Sequence, residues 1–229
     1  MVKSRLKKAI KKTYRPLHGW QRLPAKFVLD GWLRPDGAAG KPVHRLPHPS
    51  ISTLLGLYAQ LFERNLEVDP VMQGNEFEAD VELLVKVTGR KKDRIDQTLS
   101  LLRRRGFMSS RGGAFFMLDP VSRAWPPRSF AMLPIRFLVE KLPELRQVSK
   151  QRGLPVGDVL ALYVVLAVQR NHATEEVWFS RDRTSSIAGL DDDVGLKCLS
   201  VLMRTNVVVR SGLSSFKYQL MGFEAADRE

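Results

Sequence analysis

With 229 residues, 44% of them hydrophobic, the chain is long enough for two packed domains. A net charge of +13 and a pI near 10.2 point to a polyanionic partner, because basic chains collect nucleic acid or anionic surfaces by counterion release. The single cysteine excludes an intrachain disulfide and favours a reducing compartment, and no apolar run approaches the roughly 18 residues of a membrane span.

The charge is uneven. Residues 1–50 hold 12 Lys and Arg against 2 acids, residues 51–118 hold 10 against 9, and residues 119–229 hold 15 against 13. Met1–Arg22 lacks the apolar centre of a secretory signal; it reads as a cytoplasmic arm, with a transit peptide as the minor alternative. Within it Lys7, Lys8, Lys11 and Lys12 surround Leu6 and Ile10, which can share one helical face. The arm either reaches into a minor groove or is a solvated tail that merely raises affinity.

Leu23–Leu33 (LPAKFVLDGWL) predicts a short helix entered through Pro24, and Asp36–Pro49 a loop rich in Gly and Pro. His44 and His48 fall in that loop and are expected to be solvated. Ser50 is expected to cap a helix over Ile51–Arg64, whose core stripe is Ile51, Leu54, Leu55, Tyr58, Leu61 and Phe62. Leu66–Asn75 is a connection and Glu76–Glu78 a candidate short strand. Val81, Leu84, Val85 and Thr88 predict an amphipathic helix ending at Gly89. In the following segment Ile95, Leu99 and Leu102 recur at helical spacing and Gly106 stops the helix. Phe107–Ser110 and Ala114–Leu118 then flank Arg111-Gly112-Gly113 as a hairpin. Two helices joined by a glycine turn and followed by a hairpin is the order of a winged helix-turn-helix.

Asp119–Ser129 (DPVSRAWPPRS) breaks all periodicity, after which the pattern restarts. Leu133–Glu140 repeats Leu23–Asp30 at a shift of 110. Leu160–Tyr163 with Leu166 repeats Leu55–Tyr58 with Leu61 at a shift of 105. Gly189, Leu199, Ser200, Leu202, Arg204, Gly212 and Phe216 repeat Gly89, Leu99, Ser100, Leu102, Arg104, Gly112 and Phe116 at a shift of 100. The expected fold is mainly α with small β-hairpin wings (α+β), a tandem duplication of one winged-helix unit behind a basic arm. Its expected parts are an arm at 1–22, units at 23–118 and 133–221, a linker at 119–132 and a tail at 222–229.

This pattern resembles the winged-helix domains of bacterial regulators and the tandem winged-helix initiators of plasmid and phage replication. GRKKDRIDQTLSLLRRRGFM carries the resemblance most specifically. The resemblance implies DNA contacts from the first turns of the second helix and from the wing tip, here Lys91, Lys92, Arg94, Gln97 and Arg111. Lys91, Lys92 and Arg94 crowd a helix start, where the dipole disfavours cations, so fold stability gives no reason for them. Gln97, one turn on, either pairs with adenine or fills the surface, and Arg111 either reaches DNA or is a soluble turn residue. Arg104 belongs to a run, Arg103–Arg105, at the helix end, where cations are favoured. In the second copy Asp191–Asp193 replace these bases, which suits the dipole and repels phosphate.

Val159–Val168 is apolar on nearly every face. Val159, Leu162, Val165 and Leu166 are therefore expected to form a protein interface, most simply a homodimer, unless Phe137–Leu145 or the first copy covers them. Cys198 is expected to be a small core residue. His18, His44, His48 and His172 show no ligand spacing, no cofactor is implied, and no nucleotide-binding or hydrolase motif occurs, so an enzyme is not expected. The leading expectation is a cytoplasmic, nucleoid-associated protein that binds double-stranded DNA, without a membrane partner. It would act in replication initiation or transcription control by site occupancy and partner recruitment. The alternatives are an adaptor subunit of a nucleoprotein complex, and RNA binding by the arm.

Overall fold

A computed structural model of the chain describes residues 20–24, 28, 33, 46–67, 79–105, 108–111, 114–117, 130–171, 174–212 and 216–222. Lys7, Lys8, Lys11, Lys12, His18, His44, His172, Glu76–Glu78 and most of the helix expected after Pro24 lie outside these residues. Strand β1 (Trp20–Pro24) is followed by helices α1 (Pro49–Glu67), α2 (Val81–Thr88) and α3 (Lys92–Arg104) and strands β2 (Met108–Arg111) and β3 (Ala114–Met117). Then come β4 (Phe130–Pro134), α4 (Ile135–Gln151), α5 (Val156–Gln169), β5 (Glu176–Trp178), α6 (Arg181–Ala188), α7 (Asp192–Arg204), β6 (Val208–Arg210) and β7 (Lys217–Leu220). The chain is thus mainly helical with small antiparallel sheets.

Local chemistry places most boundaries. Helix α1 begins at Pro49, one residue before the expected cap, because proline suits the first helical position, where the N–H has no partner. Asp80 caps α2 by accepting from the Leu83 N–H at 2.9 Å, and Gln60 clamps the Asp80 backbone with two bonds of 2.9 Å. Gly89 and Gly189 end α2 and α6 in the left-handed region (φ 64° and 69°), which L side chains rarely adopt. In the β2–β3 hairpin Arg111, expected in the turn, is the last strand residue and pairs with Ala114.

Two expected boundaries move. Trp20–Arg22, assigned to the arm, and Phe130–Met132, assigned to the linker, are strand, because β1 and β4 pair antiparallel. Their register is Trp20 with Pro134, Arg22 with Met132 and Pro24 with Phe130. The expected repeat, at a shift of 110, would carry Trp20 to Phe130, Arg22 to Met132 and Pro24 to Pro134, and Arg22 pairs with Met132. The ladder is symmetric about that pair, as at the two-fold axis of an isologous contact.

Helix α5 is the centre. Val159 through Ala167 are all buried, against α1, α4, α6, α7, β4 and β5. The expected homodimer interface is therefore corrected. Val159, Leu162, Val165 and Leu166 are each 0% exposed because the rest of the chain covers every side of the helix. An all-round apolar helix must be buried, and here the partner is intrachain.

Where α1 and α5 meet, their backbones approach closely. A Cβ at Gly157 would stand 2.7–2.8 Å from His48 C and O and Pro49 N. These are backbone atoms that cannot rotate away. Gly157→Ala should accordingly cost about 1–3 kcal/mol in urea unfolding, whereas Gly153→Ala meets no neighbouring atom and is strained only by its φ of 66°. His48, expected to be solvated, is instead buried at this junction. Its Nδ1 lies 2.9 Å from Asp158 Oδ1 on α5 and its Nε2 3.1 Å from the Leu33 carbonyl oxygen. Cys198 is buried on α7, where desolvation and the Asp158 charge push its thiol up to about 12. A thiol so held is protonated at neutral pH and behaves as a packing group. Among the described residues no helix is long and apolar enough to cross a membrane.

Candidate nucleic-acid interface

Helix α3 turns one face inward and one outward. Ile95, Thr98, Leu99 and Leu102 are buried, at the spacing of one helical stripe. Lys91, Lys92, Asp93, Arg94, Asp96, Gln97, Ser100, Arg103 and Arg104 are exposed. Arg94, Gln97 and Arg104 stand at i, i+3 and i+10, so they share one outward row that runs roughly 15 Å along the axis.

The first turn has an unusual cap. Lys91 holds the N-cap position in extended geometry (φ −65°, ψ 147°) and makes no side-chain capping bond. Serine, threonine, aspartate or asparagine would satisfy the helix there, and a lysine cannot accept. The cation is thus placed against both capping chemistry and the dipole. Arg94 Nη1 donates to Gln97 Oε1 at 3.1 Å, which aligns the two polar ends. Lys91, Asp93, Arg94 and Gln97 together line a surface cleft of about 500 Å³.

Arg90 separates from this group. Its Nη1 lies 2.8 Å from the Pro49 carbonyl oxygen and 2.9 Å from the hydroxyls of Thr53 and Thr98. It ties the α2–α3 turn to the start of α1. Burial, then the nearby Arg94 charge, lowers its pKa from the ordinary arginine value. Arg90 is a structural tie and not part of the exposed row. Arg111 ends strand β2; the direction of its side chain falls outside the described residues.

The second half repeats the geometry with opposite charge. Asp191 takes the N-cap position of α7 with φ −67° and ψ 153°, matching Lys91, and Asp191–Asp193 are exposed. Arg181 Nη2 meets Asp193 Oδ1 at 2.5 Å. Asp182 sits below the usual carboxylate range, held chiefly by the Ser180 hydroxyl and then by the Arg183 N–H. Here the backbone is arranged as in α3, but the ends offered to a phosphate are carboxylates.

Sequence reading passed over two features. Trp178 on β5 and Phe216 beside β7 are 63% and 62% exposed; Trp178 pairs with Lys217, and the Phe179 N–H donates to the Phe216 carbonyl at 3.0 Å. Arg146 on α4 lies against the Gly89 turn. Alternation along β5 and β7 hints at the first; nothing in the sequence joins residues 89 and 146.

No protein-family model, curated protein or solved structure matches this chain. The reading of the site therefore rests on geometry and charge. Among the described residues no group of three or more His, Cys, Asp or Glu side chains is placed to hold a metal ion.

Proposed function

We propose that the chain is a double-stranded DNA-binding protein of two tandem winged-helix units. In this reading α3 enters the major groove and the protein acts by occupying its site and recruiting partners. The observation that carries this reading is the exposed turn Lys91–Arg94, cationic where neither capping nor the helix dipole favours it. A duplex supplies the phosphates that such a turn lacks, and Gln97 and Arg94 stand where base edges would be read. Three features support the duplication: the repeated order of helix, left-handed glycine, helix and hairpin; the matched N-caps Lys91 and Asp191; and the symmetric β1–β4 register.

Replication initiation on a plasmid or phage and transcription control both fit a protein with this output, and both place it with the nucleoid. Filter binding of the full chain to duplex DNA and to duplex RNA of matched length, across a salt series, tests the reading. Tighter binding to DNA with a steep negative slope is expected; equal or tighter binding to RNA would favour the RNA alternative. A chain starting at Pro16, without Lys7, Lys8, Lys11 and Lys12, should lose affinity for specific and random duplex by similar factors. A loss confined to the specific site would make the arm a base reader.

The adaptor reading keeps one specific support. The acidic turn Asp191–Asp193 and the exposed rings of Trp178 and Phe216 suit a protein partner better than a phosphate backbone, so recruitment is assigned to the second half. A homodimer, if formed, would use that surface and not α5.

A further inference from the structure

The guanidinium of Arg146 is laid across the turn that leads into α3. A Cβ added at Gly89 would overlap its Nη1 and stand 2.7 Å from its Cζ. Gly89 is exposed and Arg146 half-buried, so the guanidinium lies at the surface against the Gly89 turn, which leads into Lys91 and Lys92. Lys91 follows Gly89 by two residues, at most about 7.6 Å between Cα atoms.

Its own helix offers Arg146 no acid. The neighbours one turn away on α4 are Leu142, Pro143, Ser149 and Lys150. The two carboxylates of α4 are engaged elsewhere, Glu140 with Arg136 at 3.3 Å and Glu144 with Lys141 at 2.9 Å. Among the described residues no carboxylate forms an ion pair with Arg146. Lys150, exposed one turn further on, continues the same cationic row. Arg146 thus brings a cation from the second half of the chain to the turn that leads into Lys91 and Lys92, and among the described residues none of the three forms an ion pair, an arrangement that suits a polyanion.

We propose that Arg146 contacts a phosphate of the same duplex that α3 reads, so that the second half completes the DNA site of the first. This rests on the DNA-binding reading of α3. The competing role is structural: Gly89 closes the C-terminus of α2, where a cation is favoured by the helix dipole.

The test uses the full chain, a duplex of fixed length and a salt series, with thermal unfolding in parallel. Arg146→Met and Arg146→Gln should each bind severalfold more weakly at about 0.1 M salt and lower the salt slope by about 0.9, the signature of one lost phosphate contact. Arg146→Lys, which keeps the charge, should retain most of the slope. A purely dipolar role would move the unfolding midpoint and leave the slope alone. The proposal fails if both neutral variants keep the parent slope while Lys91→Ala/Lys92→Ala lowers it. It also fails if the neutral variants unfold, since Arg146 is then a structural group. If Lys91→Ala/Lys92→Ala leaves affinity unchanged, the reading of α3 is itself wrong.

Discussion

Replacing Lys91 and Lys92 together by alanine should weaken duplex binding on the order of 10- to 100-fold at about 0.1 M salt and lower the salt slope by about 1.8, two contacts at roughly 0.9 each. Both side chains are exposed and neither bonds to the helix they begin, so folding should survive the change. Stability should even rise slightly, because two cations leave the positive end of the α3 dipole, worth about 0.3–1 kcal/mol each. Tighter folding with weaker binding is a combination that a merely damaged variant does not give. The paired control is Asp191→Ala/Asp192→Ala, which removes carboxylates from the matching turn of α7. That change should leave duplex affinity equal to the parent or raise it. If the two double variants behave alike, the centre of binding is not in the first half.

The second large effect concerns stability. Arg170 ends α5 with its side chain 2% exposed, and its Nη1 meets Glu175 Oε2 at 2.7 Å, the carboxylate being 17% exposed. The buried Tyr163 hydroxyl lies in the field of both, and desolvation holds its pKa well above the ordinary value. Glu175→Gln preserves volume and backbone but removes the carboxylate charge that faces the buried arginine. Breaking a buried pair in this way costs about 3–5 kcal/mol. Equilibrium urea unfolding should register that loss. Replacing both partners by apolar residues of similar size, Arg170→Met/Glu175→Leu, should recover most of it, since no buried charge then remains. A Glu175→Gln variant as stable as the parent would mean that the carboxylate is not what compensates the buried Arg170 charge. Glu175 also holds a left-handed backbone (φ 58°).

What the sequence determined by itself is local. The boundaries of α2 and α3, the glycines at 89 and 189, the pairing of β2 with β3 and the opposed charges of the two N-caps follow from interactions among near neighbours. Helical periodicity, capping and turn chemistry act over fewer than about ten residues, and a string of letters displays them directly. The likeness at shifts of 110, 105 and 100 is legible too, because the same apolar residue types recur in the same order in both halves. Everything that joined the halves was decided by the tertiary structure. Composition required α5 to be covered on all sides, yet hydrophobic attraction has no direction, and a second chain would satisfy it as well as α1 and α4 do. His48 reads as a loop residue until Asp158 meets it, and Arg90 reads as one more base until Thr53 and Thr98 turn it inward. The β1–β4 ladder and the placing of Arg146 on Gly89 each link residues more than 50 positions apart. Such contacts form because the whole core closes at once, and no local pattern in the chain encodes them.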